Sequence, residues 1–167
     1  MKIDIKPLKQ VYDECLADGL IRDQSAIDIE RIESLVDSVE RGLKRLKEAG
    51  ESYEKKEADY SFYLTDRYEL LHMLVDTFLY LEKKKGDTHQ ASLAYLCKKH
   101  SELEFDWNTL ETMRILRNGV AYEGLRVKPE QWNMIKIQFR IYVDSLLKIV
   151  KEKLKELDNE KLKANRF

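Results

Sequence analysis

Apolar residues recur every three or four positions through most of this chain, which is the spacing of one face of an α-helix. Ile32, Val36 and Val39 form one such series, and no stretch shows the alternation expected of a strand. The two prolines and six glycines are few, and most of them fall near the ends of the apolar series. The pattern predicts six helices, over residues 6–18, 26–49, 60–84, 87–100, 108–119 and 129–157.

Four of these predicted helices are the major ones, and those over residues 6–18 and 87–100 are additional short helices. Short connections favour neighbouring helices that run in opposite directions. We therefore predict an all-α fold, an up-and-down four-helix bundle with one or two additional short helices. A chain of 167 residues can bury a core of its own, so residues 1–167 are predicted to form one domain. Its core would cover about 23–157, and the polar tail from 158 to 167 would fray.

The helix predicted to begin at Asn108 breaks where its most reactive side chains occur. Asn108 is a good N-cap, and Glu111 three residues later would complete a capping box. Gly119 permits the left-handed residue that commonly ends a helix. Arg117 is then expected near the surface on the last turn, with Tyr122 on the segment that leaves the helix.

Composition narrows the classes of function only a little. Basic and acidic residues are nearly balanced, at 30 and 31, which argues against nonspecific coating of nucleic acid. No apolar run approaches the ~20 residues of a membrane-spanning helix, and the first residues lack an apolar signal segment, so we expect a cytoplasmic protein. Cys15 and Cys97 are then ordinary thiols.

Positive charge collects around the predicted end of this helix. The basic side chains there are opposed by one carboxylate, that of Glu123, and they are Arg114, Arg117, Arg126 and Lys128. Such a local excess can hold a phosphate, which the guanidinium fork of arginine contacts with two parallel bonds. The alternative is that Arg117 only interacts favourably with the negative end of the helix dipole.

The segment LRNGVAYEG, around Arg117 and Asn118, resembles the signature of HEPN proteins, the "higher eukaryotes and prokaryotes nucleotide-binding" helical domains. That signature is an arginine, often followed by a polar residue, and then a histidine after four to six intervening positions. Tyr122 occupies the position at which LRNxxxH variants carry the histidine. The segment GDTHQASLAYL also resembles HEPN sequences, and the likeness covers roughly residues 26–155.

The resemblance implies a helical bundle that dimerises and brings two motifs together across a cleft. In ribonucleases of this family, arginine polarises the phosphate and histidine moves the proton of the 2′-hydroxyl. Tyr122 is a poor replacement, because only about one tyrosine in a thousand is ionised at pH 7. It could still bond a phosphate or stack on a base, or it could pack under the turn.

We therefore expect a HEPN-like protein that binds RNA or a nucleotide through Arg114, Arg117, Asn118, Tyr122, Arg126 and Lys128. The resemblance also implies a homodimer and the role of helical partner to a nucleotidyltransferase in a toxin–antitoxin or defence system. The alternatives are an active metal-independent endoribonuclease, with Arg117 and Tyr122 or another group as its catalytic residues, and a purely structural interaction module.

The three histidines give no metal-ligand spacing, and we expect neither a metal nor a cofactor. His72 lies within a predicted helix, His89 near the start of one and His100 near an end. The sequence leaves open whether His89 or His100 approaches Arg117.

Overall fold

The computed structural model describes residues 3–53 and 60–164, with side chains described as far as residue 49 and from residue 60 to residue 160. These ranges contain six α-helices: α1 (Leu8–Ala17), α2 (Ile29–Tyr53), α3 (Ser61–Leu81), α4 (His89–Lys99), α5 (Trp107–Glu123) and α6 (Pro129–Ala164). A 3-10 turn (Ser101–Leu103) follows α4, and two short strands, β1 (Ile21–Asp23) and β2 (Lys84–Gly86), complete the fold. The predicted all-α bundle with two shorter helices is confirmed.

Helix α3 is the centre of the bundle, because it packs against α2, α4, α5 and α6. Apolar residues occur on more than one face of this helix, so it can bury side chains against several neighbours at once. Leu71, Leu74 and Leu79 are fully buried, and so is the aromatic ring of Phe78. The apolar core of the bundle therefore forms around α3.

The short β-sheet was not predicted. Residues 84–86 were expected at and just beyond the end of a helix over 60–84, but α3 ends at Leu81 and Lys83 takes a left-handed conformation. The chain then pairs antiparallel with β1, and Ile21 lies opposite Gly86. Strands of three residues are too short to show the alternation by which a strand is recognised.

Helix α5 extends past the predicted break. Its N-cap is Asp106, whose carboxylate accepts a bond from the backbone N–H of Thr109 at 2.7 Å, so Asn108 is already helical. Gly119 is helical and buried, and the left-handed residue that ends the helix is Gly124. Tyr122 consequently lies on the last turn of α5, and Arg117 lies in its body.

Other helix ends also differ from the prediction. Helix α2 begins at Ile29 and continues past Gly50 to Tyr53. The rest of the connection between the helices predicted over 26–49 and 60–84, residues 54–59, lies outside the described residues. Helix α4 is capped by Thr88, which accepts a bond from the N–H of Ala91 at 3.1 Å, so this helix begins at His89 and not at residue 87 as predicted. The tail predicted to fray from 158 continues α6 to Ala164, and residues 165–167 lie outside the described part.

No helix among residues 3–53 and 60–164 combines the length and the apolar character needed to cross a membrane.

Candidate functional site

A surface cleft of about 390 Å³ lies between the start of α4 and the second half of α5. Its lining residues come from three parts of the chain: Cys15, Leu20, Thr88, His89, Gln90, Arg114, Arg117, Asn118 and Tyr122. Four residues predicted from the sequence therefore share this cleft. Arg126 and Lys128, also predicted, are not among its lining residues and lie on the connection between α5 and α6.

Arg117 is held by a carboxylate of the central helix. Its Nε and Nη2 atoms lie 2.7 and 2.6 Å from Oε1 of Glu69, and Nη1 donates to Oδ1 of Asn118 at 3.2 Å. The side chain is only 17% exposed, so the expectation of a surface arginine at the helix end is wrong. The extension of α5 to Glu123 places Arg117 against α3, where Glu69 meets it.

Arg114 is neutralised more completely than Arg117. Its Nε and Nη2 atoms donate to the two oxygens of Glu111 at 2.8 and 2.7 Å, and Gln90 donates to the same carboxylate at 2.5 Å. Glu111 is buried, and this pairing replaces the capping-box role predicted for it. The Glu111 carboxylate therefore joins α4 to α5 through Gln90, which lines the cleft.

Tyr122 is exposed to solvent over 77% of its side chain, so it does not pack under the turn. The guanidinium carbon of Arg117 lies 5.8 Å from the centre of its ring, within the range of a cation–π contact. One face of the Tyr122 ring is thus turned toward Arg117, and the rest of the ring is exposed at the rim of the cleft.

His89 brings an imidazole into the same cleft as Arg117. It is the first residue of α4, placed by the Thr88 N-cap, and it is half-buried. Burial lowers its pKa; Glu69 acts in the opposite direction, and the positive charges of Arg117 and Arg114 lower it further. The imidazole is consequently neutral at pH 7 and able to accept a proton.

A second histidine packs against the first. The rings of His72 and His89 are stacked with their centres 3.5 Å apart and their planes at 21°, and the ring of Tyr68 lies beside both. Burial, together with the charges of His89 and Arg117, lowers the pKa of His72 to about 3. His72 is therefore neutral over the physiological range.

His72 is oriented by Asp76, one turn later on α3. Its Nδ1 atom lies 3.3 Å from Oδ2 of Asp76, and Ser92 of α4 donates to Oδ1 of the same carboxylate at 2.7 Å. Burial raises the pKa of Asp76 to about 6, against the lowering effects of Ser92 and Lys85. Among the described residues, neither Nε2 of His72 nor the hydroxyl of Tyr68 has a hydrogen-bond partner.

His100 does not reach the cleft. Its ring nitrogens lie 2.7 Å from Glu82 and 3.0 Å from Glu102, and its ring packs edge-on against Phe78. The sequence alone did not indicate which of the two histidines, His89 or His100, lies near Arg117, and the structure shows that it is His89. One signal pointed to the missed residues: Glu69, His72 and Asp76 recur at helical spacing within the most apolar helix of the bundle.

Within the described residues, no three His, Cys, Asp or Glu side chains converge as a metal ion would require. The chemistry available in the cleft is thus that of a partly compensated guanidinium, a neutral imidazole and an exposed phenol ring.

Comparison with protein-family models, with curated proteins and with solved structures finds no match for this chain.

Proposed function

We propose that this cleft binds the sugar–phosphate backbone of single-stranded RNA, as the resemblance of the Arg117 segment to HEPN proteins suggests. The observation that carries the proposal is the convergence of Arg117, Tyr122 and His89 in one cleft. Arg117 offers a cation, Tyr122 an exposed ring for stacking, and His89 a neutral polar ring. Each of these groups has a counterpart among the phosphate, base and ribose of an RNA strand.

The pairing of Arg117 with Glu69 leaves donors for a phosphate. A guanidinium has five N–H groups; the contacts to Glu69 and Asn118 engage three of them, and the Tyr122 hydroxyl also interacts with this guanidinium. The Glu69 side chain is 42% exposed, so water screens its hold on the arginine. A phosphate can then bond the remaining N–H groups while the carboxylate keeps the guanidinium in place.

Binding of RNA is tested by fluorescence anisotropy with a labelled, unstructured RNA of about ten nucleotides. Arg117→Gln is expected to weaken binding by about tenfold, the loss of one charge-assisted contact. Tyr122→Ala removes the stacking ring and is expected to have an effect of the same order. Arg140→Gln, on the exposed face of α6, is the matched control and is expected to bind like the natural chain. Equal affinity in all four proteins would leave the purely structural module as the better account.

Metal-independent cleavage of RNA is a second candidate, and the position of His89 favours it. The neutral imidazole would accept the proton of a 2′-hydroxyl, whose oxygen then bonds to phosphorus. The bond from phosphorus to the 5′-oxygen breaks, and a cyclic phosphate remains. The leaving oxygen takes a proton from water, and the hydroxide so formed takes back the proton held by His89. Arg117 would stabilise the charge that develops on the phosphoryl oxygens.

Cleavage is tested in the presence of EDTA. His89→Gln is expected to lower the rate by about 10²-fold or more, as the loss of a general base typically does. Tyr122→His is the complementary variant, because it supplies an imidazole at the position given by the motif. Binding without EDTA-resistant cleavage in the natural chain would reject this second candidate and retain the first.

A homodimer and a cytoplasmic location belong to the same proposal. The exposed ring of Tyr122 beside the cleft supports assembly through this region, and two clefts facing each other would double the contacts to one strand. Light scattering at tens of micromolar protein is expected to give twice the mass of the chain, and the mass of a monomer would reject the dimer.

A further inference from the structure

Helix α3 carries one polar face that contacts α4 and α5 behind the residues that line the cleft. Glu69, His72 and Asp76 lie at positions i, i+3 and i+7 of a helix whose neighbouring side chains are apolar and buried. Each has a partner on another helix: Glu69 contacts Arg117 of α5, His72 stacks on His89 of α4, and Asp76 accepts a bond from Ser92 of α4. The polar face therefore supports both walls of the cleft.

His72 contacts a carboxylate on its own helix as well as the ring of His89. Its side chain is 12% exposed, and its Nδ1 atom lies 3.3 Å from Oδ2 of Asp76. A neutral imidazole carries one N–H, and a carboxylate beside Nδ1 favours the tautomer with the proton on that nitrogen. Oδ1 of Asp76 accepts from Ser92 at 2.7 Å, so the carboxylate is held by the helix that carries His89.

Stacking transmits this orientation to the cleft. The 3.5 Å separation and the 21° angle of the two ring planes mean that His72 covers one face of the His89 ring. Tyr68 lies 5.7 Å from the centre of the same ring at 24°. The plane of His89, and hence the direction of its ring nitrogens, is set by residues of α3.

We propose that His72, held by Asp76, is a positioning residue that orients the His89 ring for its contact with RNA in the cleft. This inference rests on the proposed RNA-binding function. It predicts that an aromatic face at position 72 matters more than the polarity of the side chain.

The test compares His72→Leu, which removes the aromatic face, with His72→Phe, which keeps it. His100→Leu is the matched control, because His100 is also a buried histidine held by carboxylates but lies outside the cleft. The first readout is the NMR signal of the His89 ring protons without RNA. We expect His72→Leu to move it downfield, since the ring current of His72 is lost, and His72→Phe to keep it upfield.

The second readout is the affinity for the labelled RNA. His72→Leu is expected to weaken binding by about tenfold. His72→Phe is expected to weaken it by less than about threefold, which is half of that effect on a logarithmic scale, and His100→Leu should not weaken it. An unmoved His89 signal together with unchanged affinity in His72→Leu would overturn the inference. Equal weakening of binding by His72→Leu and His100→Leu would overturn it as well, because that pattern reports a general loss of stability.

Two further outcomes distinguish a failure of this inference from a failure of the proposed function. If the natural chain binds no RNA, the proposed function fails and the inference fails with it, whatever the NMR signal shows. If Arg117→Gln loses affinity but His72→Leu does not, the inference alone fails. Should His72→Leu not fold, His72→Met replaces it. That variant also removes the aromatic face and is expected to move the His89 signal in the same direction, and no movement would overturn the inference.

Discussion

The two arginines of the cleft, Arg114 and Arg117, are paired with carboxylates that differ in burial. This difference bears on how much each arginine contributes to the free energy of unfolding. Arg114 shares both oxygens of the buried Glu111, whereas Arg117 contacts one oxygen of the partly exposed Glu69. A cation with a buried partner leaves an unpaired charge behind when it is removed. Arg117 has the more exposed partner, so its loss should be tolerated by the fold.

We expect Arg117→Ala to lower the free energy of unfolding by about 1–2 kcal/mol. That range is typical of a partly buried hydrogen bond to a charged group. Urea denaturation measures the effect, with Arg140→Ala as the exposed control, which is expected to change it by under about 0.5 kcal/mol. Identical values for the two variants would show that the contact with Glu69 contributes nothing.

Tyr68 carries a hydroxyl that stability does not require. The residue is 1% exposed, and within the described chain its oxygen has no hydrogen-bond partner. Burial of an unsatisfied hydroxyl costs free energy, so Tyr68→Phe is expected to leave the free energy of unfolding unchanged or to raise it by about 1 kcal/mol. A marked loss of stability in urea would instead reveal a partner for this hydroxyl.

The His72–Asp76 pair has a specific consequence for acid stability. Between about pH 4 and pH 6, the unfolded chain protonates His72, whose folded pKa is about 3, and this lowers stability as the pH falls. The folded chain protonates Asp76, whose pKa is raised to about 6, and this raises stability over the same interval. The pair thus binds about one proton in either state, and its two effects largely cancel.

Asp76→Asn removes the carboxyl group whose protonation in the folded chain offsets the protonation of His72 in the unfolded chain. The variant is expected to lose stability more steeply than the natural chain as the pH falls below 6. The lowered pKa of His89 acts in both proteins and does not alter the comparison. Urea denaturation of each protein at pH 7 and at pH 5 gives the change of its free energy of unfolding with pH. The same change in both proteins would contradict the proposed protonation of Asp76 in the folded chain.

At the scale of elements, the start of α4 depends on a close approach between β2 and that helix. A Cβ atom on Gly86 would lie 2.6 Å from the backbone nitrogen of Ser92 and 2.9 Å from its Cα atom. Backbone atoms cannot move aside as a flexible side chain can. Glycine at this position therefore lets the strand pack against the helix that presents His89.

Gly86→Ala is expected to lower the free energy of unfolding by about 2–3 kcal/mol, the cost of overpacking. Gly124→Ala is the matched comparison, because Gly124 has a φ of +65° but open space around it. Its cost should be about 1 kcal/mol, the strain of a left-handed residue with a Cβ atom. If the two variants were equally stable, the close approach to the backbone of Ser92 would not be what requires glycine at position 86.

The helices were predictable because each has a local periodic signal, whereas their ends were decided by packing. Gly119 and Gly124 are both plausible helix ends in the sequence, but Leu125 packs against Gly119 and only Gly124 adopts the left-handed conformation. The pairing of β1 with β2 joins residues about sixty positions apart. No local pattern carries that information.

At the scale of the whole molecule, the candidate site combines a local motif with a tertiary arrangement. Arg117, Asn118 and Tyr122 could be singled out because they are consecutive or nearly so in one helix. His89 and His72 join them only because α3 packs against both α4 and α5. Neither histidine has a spacing to Arg117 that would reveal the contact, so this half of the site had to come from the fold.

An NMR titration with unlabelled single-stranded RNA tests the central claim most directly, because it locates the ligand. If RNA occupies the cleft, the largest shifts should fall on the ring signals of His89 and Tyr122 and on the Nε–H signal of Arg117. His100, which lies outside the cleft, should remain unchanged. Shifts confined to other surfaces, or no shifts at RNA concentrations well above those of the protein, would contradict the account.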